Sequence, residues 1–270
     1  MLGKLFKHEC RAMGRVMIPL YLVMIFIAGL FAFNMKIGMS QSARTLLQRF
    51  AIVTSFLFFA AVMAVFVVMF IMVVQRFYKN LLGTEGYLMF TLPANTLQHI
   101  AGKALSAMLW IVLGVLAGVA SGFLIVFILS DVPEFIKELQ YAWSLVMGDH
   151  VKVLQIVMVV IVILLGILES LCKIYAAIAL GHQFNSHRLL MSIIAFIAFG
   201  IAEIALTSLP VIRHWIGRAS YFLSFSEQGK TATVSVIFSQ SVPMLITSLI
   251  GIVLYGGMTW YLLDRRLNLE

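Results

Sequence analysis

Apolar residues gather into six long runs, approximately Val16 to Phe33, Phe50 to Val74, Ala104 to Leu129, Val153 to Leu180, Leu189 to Leu209 and Ser241 to Leu263. A bilayer core of about 30 Å takes about 20 apolar residues to cross as a helix. Lipid offers backbone groups no hydrogen-bond partner, and a helix satisfies its own. The pattern therefore predicts an all-α integral membrane protein with six transmembrane helices. The fourth run is the least clean, because Glu169 and Lys173 interrupt it.

Ahead of the first run the pattern changes. Leu2, Leu5, Phe6, Cys10, Met13, Val16 and Met17 recur at helical spacing, with Lys4, Lys7, Arg11 and Arg15 on the opposite side. At about 100° per residue the two stripes are nearly diametrical. Residues 1–15 are expected to form an amphipathic interfacial helix, its basic face toward anionic lipid. A signal peptide fits less well: the run from Val16 is longer than a usual signal core and lacks a small-residue cleavage site.

Composition strengthens the membrane reading. The chain has 270 residues, 62% hydrophobic and 11% charged, against about 25% charge in a soluble domain. No stretch is long and polar enough for a separate soluble domain, so residues 1–270 are expected to form a single transmembrane domain. The formal charge of +8 sits at the ends of apolar runs, where lipid headgroups explain it better than nucleic acid. The dense basic cluster before the first run places both termini in the cytoplasm. Cys10 and Cys172 give no disulfide framework.

On that topology the segment from Asp131 to Lys152 is external, and Asp131 with Pro133 predicts the start of a short surface helix. Residues 210–240 mix charge with apolar clusters such as Val211, Ile212, Trp215 and Ile216. They are expected to form an external or re-entrant segment, with Pro243 opening the last span. Phosphate-binding, zinc-protease, CxxC and nucleophile-elbow motifs are all absent. The chain is therefore expected not to be an enzyme and to bind no cofactor itself. His182 and His187, five apart, miss the spacing of a helical metal pair and suit a solvated turn.

Ionisable residues inside spans are candidates for function. Glu169 and Lys173 are four apart on one helical face, in the favourable order. Boundary anchoring and an intrahelical pair are favoured over a role in translocation, since Lys173 is able to snorkel to the surface. Glu203 falls near the external end of the fifth span, far from Lys173. It either caps helix ends there or faces a polar translocation surface. Gly114, Gly118 and Gly122 put small residues every fourth position along the third span, a face for close helix packing.

The stretch from Arg76 to Lys103, RFYKNLLGTEGYLMFTLPANTLQHIAGK, is a polar, charged island between the second and third spans. Its glycines and Pro93 suit either a shaped turn or a docking element. With the N-terminal amphipathic helix, six spans, the segment before span six and the C-terminal DRRLNLE, the chain resembles the type-2 permease subunits of bacterial ATP-binding-cassette exporters. That resemblance covers essentially the whole chain and rests most narrowly on the Gly-Tyr-Leu-hydrophobic-Thr-Leu-Pro string at Gly86 to Pro93.

The resemblance implies a permease in a bacterial cytoplasmic membrane, paired with a second permease subunit and a separate nucleotide-binding ATPase that carries ATP and magnesium. Residues 76–103 would be the cytoplasmic coupling loop. Tyr78, Lys79, Asn80, Gly83, Glu85, Gly86, Tyr87 and Pro93 would lie at the ATPase-docking site, with Glu85, Gly86 and Tyr87 as preferred contacts. A non-transporting polytopic sensor or assembly protein is the alternative that six spans and a docking loop also suit. A membrane-embedded enzyme would need convergent polar groups at one depth, and the sequence offers none.

Overall fold

The structure, a computed structural model, describes residues 2–38, 44–78, 95–148, 150–184, 187–208 and 232–265. The elements among them are all helical: α1 (Leu2–Gly38), α2 (Arg44–Phe77), α3 (Thr96–Leu129), α4 (Val132–Met147), α5 (His150–Gly181), α6 (Arg188–Ser208) and α7 (Ala232–Arg265). All but α4 are long and apolar enough to cross a membrane. The protein is a polytopic, all-helical membrane protein with six candidate spans.

Three boundaries differ from expectation: α3 begins at Thr96, ahead of Ala104, so residues 96–103 of the expected loop are helical. The interfacial segment and the first span form one unbroken helix of 37 residues with Pro19 inside it. The last helix begins at Ala232, so Pro243 lies inside it, although the apolar span within that helix begins at Ser241, as expected. Residues 232–240 contain neither glycine nor proline, and nothing there breaks a helix before Pro243. The rest of the expected external segment, residues 210–231, lies outside the described residues. As predicted, α4 starts at Asp131 and Pro133: the Asp131 carbonyl accepts from the Phe135 amide at 3.0 Å, and Pro133 stands in the first turn.

The chain divides into two compact units. One joins α1 and most of α2 with the second half of α3 and α4. Its buried seam on α1 is Met13, Met17, Tyr21, Met24, Ala28 and Ala32, recurring at three and four residues as one helical face requires. Lys4, Lys7, Arg11 and Arg15 are all exposed. Trp110 locks α3 to α1 twice: Tyr21 donates its hydroxyl to the Trp110 carbonyl at 2.7 Å, and Trp110 donates Nε1 to the Cys10 carbonyl at 3.2 Å. Farther along, the rings of Phe31 and Phe58 stack at 6.0 Å, holding α1 to α2.

The other unit joins the end of α2 and the start of α3 with α5, α6 and α7. Its core lies on α5, where Leu171, Cys172, Tyr175 and Ala176 to Ala179 are buried. Cys172 and Cys10 are free thiols. Many serine and threonine hydroxyls inside the spans bond back to their own helices, as Ser170 does to Gly166 and Thr259 to Tyr255, which satisfies those donors without water. Large apolar side chains such as Phe56, Phe59, Ile204 and Val253 stand outward, a surface only a bilayer covers at low cost.

Close helix approach is concentrated at particular glycines. A Cβ at Gly114 would come within 2.7 Å of the Met69 methyl and 2.9 Å of the Tyr21 hydroxyl, whereas Gly118 and Gly122 have nothing within 4 Å. At Gly181 an added Cβ would meet the Ser192 backbone, 2.5 Å from N and 2.7 Å from Cα. Gly181→Ala is therefore expected to destabilise most, by about 1–3 kcal/mol or more because backbone cannot step aside. Gly114→Ala should cost less, since a methionine end yields. Gly118→Ala should be neutral or gain up to about 1 kcal/mol of helix propensity. Thermal unfolding in mild detergent reads the order, and equal melting temperatures for the three variants would overturn it.

Candidate functional site

Inside the second unit, three helices each turn a polar position toward the others. On α5 these are Glu169 and Lys173, one turn apart; on α6, Glu203, with Phe196 and Phe199 at helical spacing before it; on α7, Ser248, Gly251 and Tyr255, again spaced by three and four. Lys173 and Glu203 form an ion pair. The Lys173 ammonium also lies 5.8 Å from the ring centre of Phe196 and 5.9 Å from that of Tyr255, within reach of cation–π attraction. Phe199 packs on Tyr255 at 5.4 Å. The lysine side chain is 16% exposed and the glutamate 41%, so the cation is the more enclosed partner.

Glu169 completes the cluster from the other side. The Ser248 hydroxyl hydrogen-bonds its carboxylate, and Lys173 and Glu203 are both near enough to act on it electrostatically. Gly251 makes room: a Cβ there would lie 2.8 Å from the Glu169 Cδ. The result is two carboxylates and one ammonium at membrane depth, held by three spans and walled by aromatic rings.

The pairing of Lys173 with Glu203 corrects the expectation that they are far apart. At 1.5 Å per residue Lys173 is about 12 Å from the end of α5 at Gly181, and Glu203 about 22 Å from the start of α6 at Arg188. Side chains lean toward the N-terminus of their own helix. In antiparallel neighbours the two therefore lean toward each other, and a long lysine closes the offset of about 10 Å.

A second set of contacts gathers around the helix ends of the same unit. Phe77, at the end of α2, stacks on Tyr175 with centroids 4.1 Å apart and planes 7° from parallel. Tyr78 follows, its ring 6.0 Å from that of His182, and Arg188 approaches His182 Nε2 at 3.3 Å. His182 stands in the turn that follows α5, as expected, half-buried by these contacts, and His187 is exposed. Thr96, at the start of α3, donates to Asp264 near the end of α7 at 3.3 Å. Over the first three turns of α3, His99, Lys103 and Ser106 are buried.

Of the expected docking residues, Tyr78 stands at this corner; Lys79, Asn80, Gly83, Glu85, Gly86, Tyr87 and Pro93 lie outside the described residues. Of the glycine stripe, only Gly114 meets side chains of other helices. Ser248, Gly251 and Tyr255 were missed in the sequence, although their three-and-four spacing around a glycine was a usable signal. Among the described residues no group of three or more histidines, cysteines or acids could hold a metal ion. No family model, curated protein or solved structure matches the chain.

The geometry gives Lys173 two carboxylate neighbours, one on its own helix and one on α6. Either single substitution, Glu203→Gln or Glu169→Gln, leaves the ammonium a partner, while the double substitution leaves it none. The double variant is expected to lose about 1–3 kcal/mol beyond the sum of the singles, in the range of contacting pairs, and Lys173→Met should restore much of it. Thermal unfolding of the purified variants checks this. Additive losses, unrelieved by Lys173→Met, would exclude a shared role.

Proposed function

We propose that the chain is the membrane-spanning permease subunit of an ATP-driven exporter of the ATP-binding-cassette class, of the type-2 kind, in a bacterial cytoplasmic membrane. The segment between α2 and α3, the middle of the expected 76–103 stretch, is the cytoplasmic loop that docks a separate ATPase. The observation that most supports this reading is the anchoring of both roots of that loop. Phe77 is stacked on Tyr175 of α5 at one root and Thr96 is bonded to Asp264 of α7 at the other. A loop that transmits force needs roots that do not slip.

In this reading the ATPase subunit carries ATP and magnesium, and its closure moves the docked loop. Displacement at Phe77 passes to α5 through an aromatic stack, a contact worth about 0.5–1.5 kcal/mol beyond its burial. Displacement at Thr96 passes to α7. Both helices carry the Glu169, Lys173 and Ser248 cluster on their way through the membrane, so loop and cluster share two rigid elements. ATP drives the change only by binding one arrangement of the two permease subunits better than the other.

The four exposed basic residues of α1 fit a first stretch lying against anionic headgroups, because 37 residues make a helix about 55 Å long, well beyond the bilayer core of about 30 Å. Arg76 stands where α2 ends and Arg188 where α6 begins, and basic residues collect on the cytoplasmic side. Both termini are cytoplasmic on this assignment.

Purification of the tagged full chain from its native membrane in mild detergent is expected to bring down a nucleotide-binding protein with ATPase activity. Glu85→Ala/Tyr87→Ala should abolish that association while the melting temperature of the chain stays unchanged. Association fully retained in the double variant would overturn the docking assignment. A chain that repeatedly purifies alone, without ATPase activity, would overturn the permease reading in favour of a sensor or assembly protein.

A further inference from the structure

α4 is short, and its apolar positions form one broad face. At about 100° per residue, Phe135, Leu139, Val132, Trp143 and Ile136 fall on one side of the helix, and Glu134 and Glu138 fall along one edge of that side. Of the five, all but Phe135 are exposed, Trp143 most at 65%. The helix is joined to α3 by Ser130 and Asp131 and to α5 by Gly148 and Asp149. Since α3 and α5 are both candidate spans, both ends of α4 are tied to places where the chain leaves the bilayer, and tryptophan is favoured at that boundary.

Beside this face runs a groove of about 460 Å³, in which Val119, Phe123 and Val126 of α3 oppose Phe135 and Leu139 of α4, with Glu138 at its border. Gly122 lies in its lining and has no atom within 4 Å of where a Cβ would stand, so the missing side chain is part of the space. Phe127 meets Phe135 edge-on at 5.5 Å and pins α4 to α3. The volume falls within the 300–1,000 Å³ of small-molecule sites.

The charges are sorted along α4. Asp131, Glu134 and Glu138 follow one another at spacings of three and four along one edge of α4, all exposed, and of the three Glu138 lines the groove. Lys137 sits about 100° round the helix from Glu138, on the far side from Phe135 and Leu139. An alkyl chain in the groove would therefore place its head against carboxylates. An anionic head would be repelled there, and a cationic one attracted.

We propose that the α3–α4 groove seats the alkyl chain of a membrane amphiphile with an ammonium headgroup, with Glu138 as its principal counter-ion and Glu134 and Asp131 beside it. The amphiphile enters from the leaflet that α4 faces. The site rests on α3 and α4 alone and stands independently of the permease reading.

The test uses the full chain in phosphatidylglycerol vesicles, with Cys10→Ala and Cys172→Ala and a bimane fluorophore on Leu139→Cys. A brominated long-chain alkylamine and the matching alkyl alcohol serve as quenching probes. The amine is expected to quench at about tenfold lower mole fraction than the alcohol, the effect of roughly one charge-assisted contact. Asp131→Asn/Glu134→Gln/Glu138→Gln should erase that preference. Should the labelled Leu139 variant fail to fold, Val126→Cys carries the same reporter on the α3 wall. Amine preference surviving the neutralised variant would overturn the role of the carboxylates. Absence of quenching by either probe would overturn the site, because the groove would then not face acyl chains.

Discussion

An ammonium inside a bilayer has no water to pair with, and the arrangement of α5, α6 and α7 answers that constraint. A lysine at the centre of a span costs about 2.5–3.5 kcal/mol on insertion scales; Lys173, about 12 Å from the end of α5, bears less, and more once its partner is removed. Here the cost is met by a carboxylate from the neighbouring helix and by two aromatic faces. The same contacts fix how α6 lies on α5. Gly181 settles their approach at the end of α5, where the Ser192 backbone leaves no room for a side chain.

The second carboxylate changes what that ion pair means mechanically. A lone buried pair between two helices resists separation, because parting them strands both charges. With Glu169 one turn back on the same helix, Lys173 retains an opposite charge whatever the position of α6. Glu169 in turn is tied to Ser248 on α7. The cluster thus compensates the Lys173 cation from two helices, α5 and α6, and ties the third through Ser248.

The number and approximate limits of the spans were legible because hydropathy over 20 residues is a strong signal, and lipid forbids most alternatives to a helix. The start of α4 was legible from Asp131 and Pro133 for a local reason, helix-capping chemistry. Contacts between helices were less so. Depth counted along straight helices put Glu203 far from Lys173, and only the lean of side chains toward their own N-termini reconciles the two. A glycine stripe likewise says where close approach is allowed; Gly114 is used within the chain and Gly118 is not, a difference that depends on which neighbour arrives. The unbroken α1 escaped the sequence reading because a change in residue pattern at Arg15 is not itself a helix terminus.

Two features of α1 bear on how a helix of 37 residues accommodates that change in pattern. Pro19 has no amide hydrogen, so the Arg15 carbonyl lacks the donor that a regular helix would supply one turn on. The Cys10 carbonyl, about 7.5 Å earlier along the axis, is drawn on by the Trp110 indole as well as by its own helix. The backbone ladder is thus missing a rung at Arg15 and shares one at Cys10. Bending is cheapest across that interval, between the basic opening turns and the apolar remainder. Trp110, through its indole and its bond from Tyr21, grips the helix on both sides of this joint, which makes a side chain on α3 the splint of α1.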